Sequence, residues 1–149
     1  MKFIPLQSAD NTPWKDAVSA LDGLPVRESG SWIAEKHQAL VYFAEMFSRS
    51  MKPSAYKTGW KHRVYLELFS GPGKCLVRET GEEADGSPLK VLDQEFTRFI
   101  FIDRNTAAAR ALEQRLSDHP NSDKIEIWNG DCAEAVQQIS IEQKALTLA

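Results

Sequence analysis

Three acidic residues, Glu67, Asp103 and Asp131, stand at or near the ends of short apolar runs, where a bound molecule could meet them. Glu67 opens the heptapeptide Glu67-Leu68-Phe69-Ser70-Gly71-Pro72-Gly73. A side chain at Gly71 or Gly73 would hold a ligand away from the backbone or forbid the dihedrals of the turn. A carboxylate offers two acceptor oxygens, so Asp103 can take both hydroxyls of a ribose in charge-assisted hydrogen bonds. Asp131 is placed to accept from the amino group of an adenine. Glu67 either orients the glycine turn or meets a cationic group of the ligand, because a buried carboxylate without such a partner is costly.

The segment after the turn bears on which ligand is meant. In a dinucleotide-binding unit the ribose-binding acid follows the glycines by about 20 residues, and a third glycine leads directly into a helix whose amino terminus meets the pyrophosphate. Here the separation is longer, Pro72 removes a donor from the turn, and Cys75-Leu76-Val77 reads as extended within a loop from Lys74 to Gly86. S-adenosylmethionine has no phosphate. It brings an ammonium, a sulfonium, two ribose hydroxyls and an adenine, which suit carboxylates at positions 67, 103 and 131. The candidate cofactor residues are therefore Glu67, Phe69, Ser70, Gly71 and Gly73 of the turn, and two strand-end pairs. Those pairs are Asp103 with Arg104 and Asp131 with Cys132. NAD or another adenosine cofactor is the weaker reading of the same residues.

These positions need strands to end at them. Val64 to Phe69 reads as a strand entering the turn, Phe99-Ile100-Phe101-Ile102 as a strand covered on both faces, and Ile125 to Trp128 as a third. Ser87-Pro88 reads as the cap and first turn of a helix carrying Leu89, Leu92 and Phe96, and Thr106 to Ser117 as a helix aligning Ala108, Leu112 and Leu116. Asp131 can cap a further helix with Glu134 as its capping-box partner, and Ala145 to Ala149 opens a fourth strand. Strands alternating with helices call for a parallel sheet with right-handed crossovers and a crevice at the strands' carboxyl ends. Upstream, Ser31 to Met51 has helical apolar spacing through Ile33, Leu40, Ala44, Phe47 and Met51. The first 29 residues read as an appended arm with one short helix, capped by Thr12, opened by Pro13 and closed by Gly23.

From about Leu24 to Ala149 the chain resembles the three-Cys-motif partner protein family, whose members look like class I S-adenosylmethionine-dependent methyltransferases. The matching segments are Gly30-Ser31-Trp32, Glu35-Lys36-His37, Tyr65 to Gly73, Asp85-Gly86-Ser87-Pro88, Phe101-Ile102-Asp103 and Asn129-Gly130-Asp131. The resemblance implies an α/β, Rossmann-like fold whose first four strands lie in the order 3-2-1-4. It implies an N-terminal arm and helix over residues 1–63 and the first half of a cofactor-binding domain over 64–149. It also implies a protein partner that bears the three-cysteine motif; with Cys75 and Cys132 far apart, this chain is not that partner. Similar methyltransferases continue past the fourth strand with an acid-proline motif that holds the methyl acceptor. The expectation for this chain alone is cofactor binding without turnover, with catalytic residues unassigned. A fourth strand at the sheet edge would invite self-association through Leu146 to Ala149. A non-catalytic interaction module on the same scaffold is the alternative from another class.

Composition narrows the setting more than the chemistry. The chain has 149 residues, 42% of them hydrophobic, enough for one domain with a core. A net charge of −3 and a pI near 5.6 give no bulk reason to bind nucleic acid or an anionic membrane. A local candidate for nucleic acid is the basic connector with Lys57, Lys61 and Arg63 near Tyr56 and Trp60, although a charge run is more often a solvated face. His37 lies on the apolar stripe of the long helix, as a core or ligand-lid histidine rather than a catalytic one. Two separated cysteines, no metal-ligand spacing, no signal peptide and no membrane-length apolar run fit a soluble cytoplasmic protein.

Overall fold

Two apolar strands set the centre of the molecule. The computed structural model describes residues 1–53, 59–142 and 145–149. The chain forms β1 (Lys2–Pro5), β2 (Arg27–Ser29), α1 (Ile33–Ser50), β3 (His62–Glu67), β4 (Lys74–Val77) and β5 (Glu83–Asp85). It continues through α2 (Ser87–Val91), β6 (Arg98–Asp103), α3 (Thr106–Leu116), β7 (Ile125–Asn129), α4 (Cys132–Gln138) and β8 (Ala145–Leu148). Strands β3 and β6 lie side by side in a five-stranded sheet of order β1-β7-β6-β3-β8, in which every pair is parallel. The protein is thus α/β, with a parallel sheet and helical crossovers.

The alternation of strand side chains divides the core in two. Tyr65, Phe99, Phe101, Ile125 and Ile127 point to one face and pack with Ala44 of α1, Val91 of α2 and Leu112 and Leu116 of α3. Val64, Ile100 and Ile102 point to the other, where Ala135 and the half-buried Cys132 of α4 meet them. Phe96 and Phe99 meet edge to face at 5.7 Å, adding aromatic contact to the first cluster. At the amino ends of the strands the Arg98 guanidinium meets the Glu126 carboxylate through two hydrogen bonds, of 3.0 and 2.9 Å.

The amino-terminal segment is more than an arm. Its strand β1 pairs with β7 from Lys2↔Glu126 to Pro5↔Asn129, adding a fifth strand to the four expected. The helix expected between Thr12 and Gly23 is absent, because side chains take the backbone donors that a helix would use. Asp10 accepts from Thr12 N, Asp16 from Ala17 N, and Ser19 Oγ from Leu21 N and Asp22 N. Gly23, at φ 72°, closes a turn in which its N–H donates to the Ser19 carbonyl. Two other local readings change. Gly86, rather than Ser87, is the N-cap of α2, which ends at Val91 before reaching Phe96. Asp131 caps α4 by accepting from Ala133 N, but Glu134 turns away to receive Ser8 N and Ser8 Oγ.

A small second sheet, β2-β4-β5, sits beside the glycine turn. Cys75, Leu76 and Val77 are indeed extended, in β4, and pair with Arg27, Glu28 and Ser29 of β2. Among the described residues no helix is long and apolar enough to cross a membrane.

Candidate functional site

The turn after β3 is held from several directions. Ser70 donates through its backbone N–H and its hydroxyl to the Ile102 carbonyl, at 2.9 and 3.2 Å. Gly71 N–H donates to Asp103 Oδ2 at 2.8 Å, while Oδ1 of the same carboxylate receives Asn105 N–H at 2.9 Å. Gly71 and Gly73 have φ of 66° and 91°, the left-handed region that glycine tolerates. A Cβ on Gly73 would also stand 2.9 Å from Leu112 Cδ1. The Gly73 carbonyl receives Gly86 N–H at 2.7 Å, which draws the start of α2 against the turn.

Arg115 of α3 completes the frame. Its guanidinium donates to the carbonyls of Pro72 and Pro25, both at 2.6 Å, and meets both oxygens of Asp22 at 2.9 Å. The Arg115 side chain is 4% exposed, and its hydrogen bonds hold the Asp22 carboxyl well below the usual range. Nothing in the spacing of the sequence singles out this arginine. Its partners lie about ninety and forty residues away.

Between the glycine turn, β2, β4 and the first turns of α1 and α2 lies a cavity of about 190 Å³. Glu67, Phe69, Ser70, Gly71 and Gly73 line it, as the sequence reading grouped them. Arg27, Lys36 and Lys74 bring positive charge to its walls, against the single carboxylate of Glu67. Glu67 accepts from Tyr65 Oη at 3.2 Å and from Ser87 Oγ. Burial pushes its pKa up to about 7, and the Asp103 charge works in the same direction; Ser87, Tyr65 and Lys36 oppose that rise. Burial likewise raises the Tyr65 phenol, which stays a neutral donor. Phe69 and Trp32, 79% and 57% exposed, leave two aromatic faces open to solvent at the rim.

His37 also lines these walls, and only 4% of it is exposed. Its pKa is lowered by burial first and by the nearby Lys90 and Lys36 charges next, so the ring is neutral near pH 7. Cys75 lines the same cavity, but burial raises its thiol, which removes the thiolate a nucleophile would need.

The remaining expected residues stand apart from the cavity. Asp103 is 8% exposed and grips the turn from behind; each of its oxygens retains acceptor capacity after one backbone bond. Arg104 is exposed, and its carbonyl receives Asp10 N–H at 2.8 Å. Asp131 serves as the α4 cap, with its own N–H donating to Ser8 Oγ at 2.7 Å. The stretch from Leu6 to Asp10 lies over this part of the crevice, where a Cβ on Gly130 would meet Leu6 Cβ at 2.6 Å. In the basic connector, Lys57 and Tyr56 lie outside the described residues. Arg63 is not available to a phosphate: it is 6% exposed and donates to the carbonyls of Glu95 and Trp60. Among the described residues no group of histidine, cysteine and acidic side chains is arranged to hold a metal ion.

Comparison with protein-family models, with curated proteins and with solved structures gives no match to this chain.

Proposed function

We propose that the chain is an S-adenosylmethionine-binding domain of methyltransferase type. In this reading the amino-acid end of the cofactor enters the cavity beside Glu67, and its ribose is held toward Asp103. The observation that carries the reading is the glycine turn itself: a parallel-sheet crossover whose two left-handed glycines border a cavity with one carboxylate and several cations. That set complements a zwitterion, with Glu67 facing an ammonium and Arg27 or Lys36 facing a carboxylate. A volume near 190 Å³ is below the about 300–1,000 Å³ of sites that enclose a whole drug-sized ligand, which suits one end of a larger molecule. The cofactor when bound supplies an electrophilic methyl group on a sulfonium.

A pyrophosphate cofactor finds less support. The chain passes from Gly73 directly into β4, so no helix amino terminus follows the turn to receive a phosphate. The resemblance to the three-Cys-motif partner family supplies the expectation of a protein partner.

Calorimetric titration with S-adenosylmethionine, S-adenosylhomocysteine, NAD and ATP tests the reading. The first two are expected to bind saturably to the wild type and to lose affinity in Asp103→Ala, with circular dichroism confirming that the variant folds. Binding of NAD or ATP in preference, or of none of the four, would overturn it.

A further inference from the structure

His37 has a hydrogen-bonding position that the fold leaves unfilled. Its Nδ1 is buried and has no hydrogen-bond partner among the described residues. The neutral ring carries one N–H, and with that proton on Nε2 the unpartnered Nδ1 is a lone-pair acceptor. An imidazole acceptor removed from water without a donor is costly, and such groups are rare in folded proteins unless something outside the chain supplies the partner. His37 lines the same cavity as Glu67, Ser87, Arg27 and Lys36.

Of the neighbours, Lys36 turns its ammonium toward the ring of Trp32, 5.6 Å from the centroid, and Ser87 gives its hydroxyl proton to Glu67. Neither supplies the missing donor. Two of the residues lining the cavity thus carry acceptors, Glu67 with its carboxylate and His37 with its unpartnered Nδ1. A single ammonium carries three N–H donors and can serve both.

We propose that His37 is a ligand-binding residue of this cavity, its Nδ1 accepting a hydrogen bond from the primary ammonium of an amino-acid moiety. The inference rests on the S-adenosylmethionine reading, which supplies that ammonium. It also sets a specificity: a ligand with the ammonium removed leaves His37 and Glu67 without their donor.

The test is a titration of ¹⁵N-labelled wild-type protein with S-adenosylhomocysteine, following the His37 ring nitrogens in long-range ¹H–¹⁵N spectra. The expected result is an upfield movement of the Nδ1 resonance that saturates with the ligand, while Nε2 keeps its proton. The affinity of His37→Phe should fall about 10- to 100-fold, as for a lost hydrogen bond to a charged group. That of 5′-methylthioadenosine, which lacks the amino-acid end, should be unchanged by the variant. Saturable binding with an unmoved Nδ1 and a His37→Phe affinity within about twofold of wild type would overturn the role of His37 and leave the cofactor reading standing. No binding of S-adenosylhomocysteine to the wild type would overturn both.

Discussion

Glu67 ends a strand whose other residues are largely buried, and its carboxyl has two hydroxyl donors but no bonded cation among the described residues. Its pKa rises from an ordinary 4.5 to about 7, chiefly through burial. A carboxyl raised in the folded state stabilises the fold fully below its unfolded value and loses that contribution as pH climbs through its folded value. Urea unfolding of the wild type should therefore show about 2–3 kcal/mol less stability at pH 8 than at pH 5 from this group. Glu67→Gln should remove most of that slope; an equal slope in the variant would assign it to other groups. Binding of the proposed cofactor should respond in the opposite sense, because its ammonium would need the carboxylate: affinity should strengthen between pH 6 and pH 8, with proton release detectable in buffers of different ionisation enthalpy. Asp103 is subject to a different constraint, since its carboxylate satisfies the buried Gly71 N–H. Asp103→Asn should cost about 1–3 kcal/mol in thermal or urea unfolding as well as weakening the ligand. The acids were legible in the sequence because each ends an apolar run, whereas Arg115 was not, since a lone arginine in an amphipathic helix carries no sign of its distant carbonyl partners.

At the level of elements, the glycine turn depends on two kinds of space. Gly73 needs both its left-handed backbone and the absence of a Cβ against Leu112, while Gly81 has φ 70° and nothing within 4 Å of an added Cβ. Gly81→Ala should cost about 1–2 kcal/mol, the strain of the left-handed region alone. Gly73→Ala should cost about 1–3 kcal/mol beyond that and weaken ligand binding as the turn shifts. Equal losses in the two variants would show that Leu112 gives way freely. The central strands could be read from Phe99-Ile100-Phe101-Ile102 and Ile125 to Trp128, because continuous burial leaves a continuous apolar record. Strand β1 could not, since its partner β7 lies more than a hundred residues on and its four residues hold a proline. The same distance hid the capture of Glu134 by Ser8, which replaces a local capping box with a contact across 126 positions.

Across the whole molecule the sheet has two edge strands, β1 and β8, and the outer side of β8 has no partner strand among the described residues. Beside it α1 exposes Tyr42, Phe43 and Met46, at 61%, 66% and 50%, next to the half-buried Phe47 and Leu148. An apolar helix face beside an open strand edge favours association. Sedimentation equilibrium should find reversible self-association at high protein concentration, and Phe43→Glu should weaken it at least about tenfold without loss of thermal stability. A monomer at all concentrations would set that expectation aside without touching the proposed cofactor site by the glycine turn. That site is tested most directly by backbone ¹H–¹⁵N spectra recorded during a titration with S-adenosylhomocysteine. Saturable shifts of the Gly71, Gly73 and Gly86 amides, with the β8 amides still, are the predicted result. Unmoved glycine amides at saturating ligand, or shifts confined to another face, would contradict the assignment of this turn as the cofactor-binding element.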